Sequence, residues 1–305
     1  MTIGTDYPGA DVSQPTAFVI ILNWNLKDDT IACAESVLAG SYARQRVVVV
    51  DNGSQDGSVS ALTDRFGEAI DLIANEENVG FARGINVGIR HALAQGADWV
   101  LLLNNDTTVA PDMIERLMAV ANRQAGAGIL APAIFYYDQP ERVWRLGDRH
   151  HRWLPIPLKI PARNLKAREV LPVDYVTGCG MLIRRQVFSV IGLFDPQYFM
   201  YYEDADFCMR AAKADFAIVC VPAARMWHKV SHSTRRDVSR QRYLKTRYRV
   251  QFYRHHYSLP AWVYLILSIL WMTLKDLLRG DRQAAWACVR GFYHGWWPSA
   301  ANEPT

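Results

Sequence analysis

"WVLLLNNDTTV", residues 99–109, is an apolar run that stops on a polar tip containing Asn104, Asn105 and Asp106. A short apolar run without polar alternation fits a strand buried on both faces, as in a parallel sheet between helix layers. Two runs of the same form precede it. "AFVIILN" (17–23) ends in Asn23, with Asn25 just beyond, and "RVVVVD" (46–51) ends in Asp51. Helical patterns lie between them. One covers about 28–39 and stops at Gly40. Another starts near Gly80, repeats Phe81, Ile85, Ile89 and Leu93 on one face, and stops at Gly96. This alternation predicts an α/β fold: a Rossmann-like, mostly parallel central sheet flanked by helices, with ligands at the carboxyl ends of the strands. Asn, Asp and Gly also dominate ordinary turns. Three polar tips at successive strand ends point to a site.

Outward from these strands, the rest of the chain is less regular. "APDMIERLMAV" reads as a helix opened by Pro111, and 128–134 is a further apolar run. Residues 138–170 mix Pro, Arg, Trp and His without periodicity and read as a long functional loop. "VDYVTGCGMLIRR" (173–185) reads as a strand with a glycine-rich interruption. In "YFMYYEDADFCMR" (198–210), Glu203, Asp204 and Asp206 crowd three carboxylates into four positions. A helix starting near Glu203 accommodates them, because its dipole favours acids in the first turn. Asp206 then pairs with Arg210 at i,i+4. Glu203 or Asp204 is left facing the rim, where a carboxylate takes a proton from a hydroxyl nucleophile.

Composition bounds the class. The chain has 305 residues, 50% apolar and 21% charged, with a net charge of +4, enough for a large core and against global disorder. Ten Lys/Arg against one acid, Asp237, lie between Arg225 and Arg254, a stripe suited to phosphate, anionic lipid or nucleic acid. Tyr243, Tyr248 and Phe252 fall there at helical spacing and read as core, not as base-stacking residues, so no nucleic-acid partner is expected. The five scattered cysteines form no CxxC pair and fit reduced cytosolic thiols. The first residues have no basic or apolar leader pattern and read as a flexible tail over 1–15. "LPAWVYLILSILWMTL" (259–274) has no charge over 16 residues, short of the about 20 that a spanning helix needs. Flanked by Arg254 and Lys275 and carrying Trp and Tyr, it reads as an interfacial membrane helix.

The site chemistry points to a nucleotide. Asp51 is placed to accept from a ribose hydroxyl or a base N–H. "NVGFARGINVG" (78–88) puts glycines and Arg83 where a helix begins, a setting for phosphate. The spacing is neither GxGxxG nor a P-loop, which disfavours a dehydrogenase or Walker-type ATPase. Asp106 is a hard ligand for Mg2+ or Mn2+ shared with phosphates. His228 adds a nitrogen better suited to Mn2+. With His232 it also makes HxxxH, but no HExxH glutamate accompanies it, so a zinc protease is discounted.

Seven motifs in order, "ILNWN", "VVVVDNGSQDGS", "NVGFARGINVGI", "LLLNNDTTV", "VTGCGMLIRR", "GLFDPQYFMYYEDADFCMR" and "WHKVSHST", resemble family 2 glycosyltransferases of the GT-A fold, with a leaning to bacterial rhamnosyltransferase-like enzymes, over about 16–255. The resemblance implies inverting transfer of a sugar from a nucleoside diphosphate donor, dTDP-rhamnose or a UDP-sugar, to a hydroxyl of a glycan or polyprenyl-linked acceptor. It also implies work at the cytoplasmic face of the cell membrane in polysaccharide or cell-wall synthesis. It places Asn23, Asn25, Asp51, Asn78, Gly80, Arg83, Asn105 and Asp106 at the nucleotide sugar. Asp106 and His228 fall at the divalent cation, Asp204 as base with Glu203 beside it, and Gly178, Cys179 and Asp206 at the donor or acceptor sugar. Three positions depart from the family pattern: Asn104 stands for the first acid of DxD, Ser231 for a glycine, and Tyr248 for an Arg-Asn reading. The expected layout is a transferase domain over 16–250 and a membrane-associating helical segment over 251–305. A sugar-phosphate nucleotidyltransferase and a catalytically impaired nucleotide-sugar binder are the competing readings. The first lacks its glycine-rich loop; the second is disfavoured by the retained Glu203 and Asp204.

Overall fold

The computed structural model describes residues 14–150, 157–166, 168–230 and 237–297. Ser231 and His232 lie outside these residues, as does most of the expected tail. The first half alternates as the apolar runs require: β1 (Ala17–Asn23), α1 (Lys27–Leu38), β2 (Gln45–Asn52), α2 (Ser58–Phe66), β3 (Asp71–Asn75), α3 (Phe81–Ala94) and β4 (Trp99–Asn104). These strands pair parallel in the order β3-β2-β1-β4. The order reverses at β1, which creates the crevice where doubly wound sheets bind ligands.

The second half extends the same sheet through β5 (Thr107–Val109), α4 (Met113–Arg123), β6 (Ala127–Tyr136), β7 (Gln139–Arg145), β8 (Asp148–His150), β9 (Pro157–Lys159), β10 (Leu171–Val173) and β11 (Gly180–Arg184). Then come α5 (Arg185–Ile191), α6 (Glu203–Lys213) and β12 (Ala217–His228). Strand β11 is antiparallel to both β4 and β6, so β6 and its parallel neighbour β12 run with the first half. Six of the sheet's ten strands therefore share one direction. Alternate residues feed two cores. Phe18, Ile20, Val48 and Val50 pack with Ile85 and Ile89 of α3 and Phe207 of α6. Val19, Ile21, Val47 and Val49 pack with Val37 of α1 and Leu117 of α4. Gly88 lets α3 lie close on the sheet, since a Cβ there would stand 2.5 Å from an Ile20 methyl.

Three expectations need correction. Residues 138–170 are not a bare loop: β7 pairs with β6, and β8 pairs with β9. Strand β7 is mostly exposed, so burial imposes no apolar period on it. The helix after Asp106 begins at Met113, with Pro111 ahead of it. The boundary expected at 250 falls inside α7 (Val238–His256), so the transferase domain and the C-terminal segment share one helix. Tyr243, Tyr248 and Phe252 of α7 are buried. Helix α7 packs along α9 (Arg282–Trp296), and α8 (Leu259–Leu278) lies against α9. By length and composition α8 is the one described helix able to cross a membrane. Only Ala261, Leu265, Ile269 and Asp276 of it are buried, on one side.

Candidate active site

The polar tips meet. The register of β1 sets Asn23 beside Asp51 on β2, and Leu22 beside Asn104 on β4. Asn23 is the hub. Its amide donates to Asp51 Oδ2 at 2.6 Å and its oxygen accepts from Thr30 Oγ1 at 2.7 Å and Asn105 Nδ2 at 3.0 Å. Asp51 is 1% exposed, and its Oδ1 accepts from the Ser54 amide at 2.8 Å. Asn25, in left-handed backbone, accepts from the Gln55 amide at 2.7 Å and clamps the loops after β1 and β2. Asn23, Asn105 and Asp51 thus form the floor of the rim.

The start of α3 differs from expectation. Two of its donors are taken up within the fold. The Gly80 amide donates to Asn78 Oδ1 at 2.9 Å and the Phe81 amide to the Phe199 carbonyl at 2.6 Å. Gly80 has φ +85°, and a Cβ would sit 2.6 Å from the Phe199 ring. Arg83 donates to the Pro196 carbonyl at 3.1 Å. Gly80, Phe81 and Arg83 therefore dock the 196–199 loop, which leads directly into α6. Tyr201 and Tyr202 at its end both have left-handed backbone (φ 74° and 69°). For non-glycine residues this costs about 1–3 kcal/mol each.

That strained entry fixes how the three acids diverge, since successive helical residues rotate by about 100°. Asp206 turns inward, 2% exposed, between Arg210 Nε at 2.7 Å and His256 Nε2 at 2.7 Å. These partners hold its carboxyl below the usual value against the effect of burial. Both oxygens are committed to α6 and α7, so the expected sugar contact at Asp206 gives way to a structural one. Glu203 is 6% exposed with Oε2 unpartnered, and burial, aided by the Asp204 charge, pushes its pKa well up. Asp204 faces the 175–179 turn. Its Oδ2 accepts from Tyr175 OH at 2.7 Å and the Gly178 amide at 3.1 Å, and its Oδ1 from the Ala205 amide at 2.8 Å.

The next residue of that turn reaches the other half of the site. Cys179 contacts His228, and its carbonyl accepts from the Asn104 amide at 3.3 Å. Pairing of β5 with β12 sets His228 opposite Thr107, beside Asp106. His228 Nε2 and Asp106 Oδ1 lie 3.1 Å apart, 8% and 5% exposed by residue. Burial opposes charge on His228, yet Cys179 and Asp106 raise its pKa to about 10. Asp106 Oδ1 has no aligned hydrogen-bond donor. Two donor atoms at this spacing fit neighbouring corners of an octahedron with bonds of about 2.1 Å. Among the described residues no three His, Cys, Asp or Glu converge to hold an ion alone. The pair therefore suits a cation that takes its remaining ligands from outside these two side chains.

Sequence reasoning missed Tyr175, Arg145, Trp144 and Lys229. The Trp144 ring stands 4.9 Å from that of His228, and Lys229 pairs with Asp29 at the start of α1. Tyr175 adjoined a recognised motif. Arg145 and Trp144 sat in the stretch read as a loop.

Residues 18–192 match the family described as Glycosyl transferase family 2. The chain belongs to that family. This family 2 glycosyltransferase is 33% identical over 211 residues to N-acetylglucosaminyl-diphospho-decaprenol L-rhamnosyltransferase of Mycobacterium tuberculosis, covering 63% of this chain and 68% of that one. It is 28% identical over 284 residues to the low-salt glycan biosynthesis hexosyltransferase Agl10 of Haloferax volcanii, covering 91% and 90%. The dTDP-rhamnosyl transferase RfbF of Shigella flexneri is 24% identical over 226 residues, covering 70% and 68%. Among solved structures, the mannosyltransferase PcManGT of Pyrobaculum calidifontis, in complex with GDP-Man and Mn2+, superposes with TM-score 0.60 at 15% identity, covering 96% of this chain and 89% of that one. GalNAc-T7, solved with UDP, GalNAc and Mn2+, gives TM-score 0.65 at 14% identity, and the chain spans 58% of its length and 96% of its own. The GT-A architecture expected from the motifs is the one found, and the nucleotidyltransferase reading falls away.

Proposed function

We propose that this glycosyltransferase moves rhamnose, with inversion, from dTDP-rhamnose to a hydroxyl of a polyprenyl-linked glycan at the cytoplasmic face of the membrane. The observation that carries the reading is the 178–179 turn. Gly178 holds Asp204 while Cys179 touches His228, so a carboxylate base and a cation-suited pair share one crevice at the strand ends. The rhamnosyl and polyprenyl chemistry in the names of the relatives supports the choice of substrates.

Asp204 accepts the proton of the acceptor hydroxyl as that oxygen attacks the anomeric carbon from the face opposite the diphosphate. General-base assistance of this kind contributes about 10²–10⁴ in rate. Asp106 and His228 would hold Mg2+ or Mn2+, which when bound neutralises charge developing on the leaving diphosphate. The floor built on Asn23, Asp51 and Asn105 fixes the loops that border the nucleotide.

The C-terminal helices supply membrane contact in this reading. Leu259, Val263, Leu267, Leu270 and Trp271 form an exposed stripe along α8, and Trp286, Tyr293 and Trp297 are exposed on and just beyond α9. Exposed Lys275, Arg282 and Arg290 lie on the same helices, and exposed Arg279 caps α8. That combination suits an anionic bilayer surface. The opposite side of α8 is fastened to α7, where Arg242 Nη2 donates to buried Asp276 at 3.1 Å. The hairpin accordingly lies on the bilayer instead of crossing it.

The test is product formation from dTDP-rhamnose and UDP-hexoses on a polyprenyl-diphosphate N-acetylhexosamine, with and without chelator. An inverted rhamnosyl linkage made only with cation is expected. Transfer from another donor replaces the substrate, and a retained anomeric configuration refutes the mechanism.

A further inference from the structure

The base is held from outside its own helix by a residue for which the reaction as written has no use. Tyr175 OH donates to Asp204 Oδ2 at 2.7 Å. Its backbone is pinned by Asp148, whose amide donates to the Tyr175 carbonyl at 2.9 Å and whose carbonyl accepts from the Tyr175 amide at 3.1 Å. Its ring is covered by the Arg145 guanidinium at 5.4 Å. Arg145 in turn donates to Asp148 Oδ2 at 2.6 Å, and Asp148 is 1% exposed. The neighbouring Trp144 meets the His228 ring. Adjacent residues of β7 therefore brace both halves of the site.

We propose that Tyr175, braced by Arg145 and Asp148, is a positioning residue that fixes the Asp204 carboxyl and turns its remaining lone pairs toward the acceptor. The inference rests on the reading of Asp204 as the base. A carboxylate that accepts several donors is held in one orientation. Of the three donors to Asp204, two are backbone amides given by the fold, and the phenol is the separable one. Burial and the Asp204 charge push the Tyr175 phenol well above its usual range, so it stays a donor at working pH. The other groups facing Asp204 are Arg145, Glu203, Tyr202 and Cys208. Burial pushes the last three up from their ordinary values.

Two substitutions test this. Tyr175→Phe removes the donor and should lower kcat roughly tenfold while donor KM stays within about twofold. Replacing Tyr175 with 3-fluorotyrosine retains the donor and should restore kcat. Loss with both, or a donor KM that rises in step with the fall in kcat, overturns the inference. The carboxyl resonance of Asp204 at fixed pH, identified by its absence in Asp204→Asn, should move in Tyr175→Phe and needs no turnover. An unmoved resonance overturns the inference even if the wild type transfers no sugar, a result that would refute the proposed function separately.

Discussion

Replacing Asp206 with alanine should unfold this enzyme early without touching its chemistry. The side chain is 4% exposed and joins Arg210 on its own helix to His256 on α7. Breaking a buried pair by removing one partner costs about 3–5 kcal/mol. Here Arg210 is 25% exposed and keeps the carbonyls of Ile191 at 2.7 Å and Leu193 at 3.0 Å, so its charge stays solvated. The lower end, about 3 kcal/mol, is expected. For a chain of this size that is a fall in Tm of roughly 5 °C. The pH dependence has a definite sign. The folded carboxyl titrates below its ordinary value of 3.8, so its contribution is present above that value and is lost as pH falls through the folded one. The gap between wild type and variant should therefore close in acid. Thermal melts from about pH 7 down to pH 3, with donor titration at a temperature where both are folded, measure it. A variant that melts with the wild type but no longer binds donor would refute the structural assignment and return Asp206 to the sugar.

Asp204→Asn should cut turnover by about 10²–10⁴ while donor affinity changes little; wild-type rates would remove Asp204 from the base role. Asp106→Ala and His228→Ala should each abolish the Mn2+-dependent part of donor binding measured by calorimetry, whereas binding indifferent to both variants and to chelator would contradict the cation site. Leu267→Glu with Leu270→Glu should release the protein from anionic vesicles by roughly tenfold or more per residue at unchanged Tm, and undiminished flotation with vesicles would argue against the α8 surface. Glu203 titrates above its ordinary value of 4.5 because of burial and then Asp204, so the folded chain retains a proton that the unfolded chain releases. Wild-type stability should fall as pH rises from 4.5 toward the folded value, and the Tm of Glu203→Gln relative to wild type should climb over that window; a constant difference would show that Glu203 is not buried as a neutral acid.

The three acids at the start of α6 show how chemical identity and orientation separate. Their placement in a first helical turn answers the electrostatics of clustering, because the helix dipole favours them there. Their fates are set by what packs around the helix. One is sealed in apolar surroundings, one meets the 175–178 turn, and one is locked to α7. A substitution scan across 203–206 would see three different phenotypes from three chemically similar residues.

Apolar runs that end in Asn23, Asp51 and Asn104 were legible because a strand buried on both faces must be apolar throughout. The i,i+4 spacing of Asp206 and Arg210 made their pairing a local matter. Position in the sheet was not local. The start of α3 docks on Phe199, and nothing between 78 and 88 announces a partner more than a hundred residues away. The same holds for Arg145 and Tyr175, which sit in stretches without periodicity. Exposed edge strands answer to solvent and to distant neighbours, so their composition records no repeat. Residue types and local periods determined the elements and the chemistry available; only long-range packing decided which carboxylate faces the crevice.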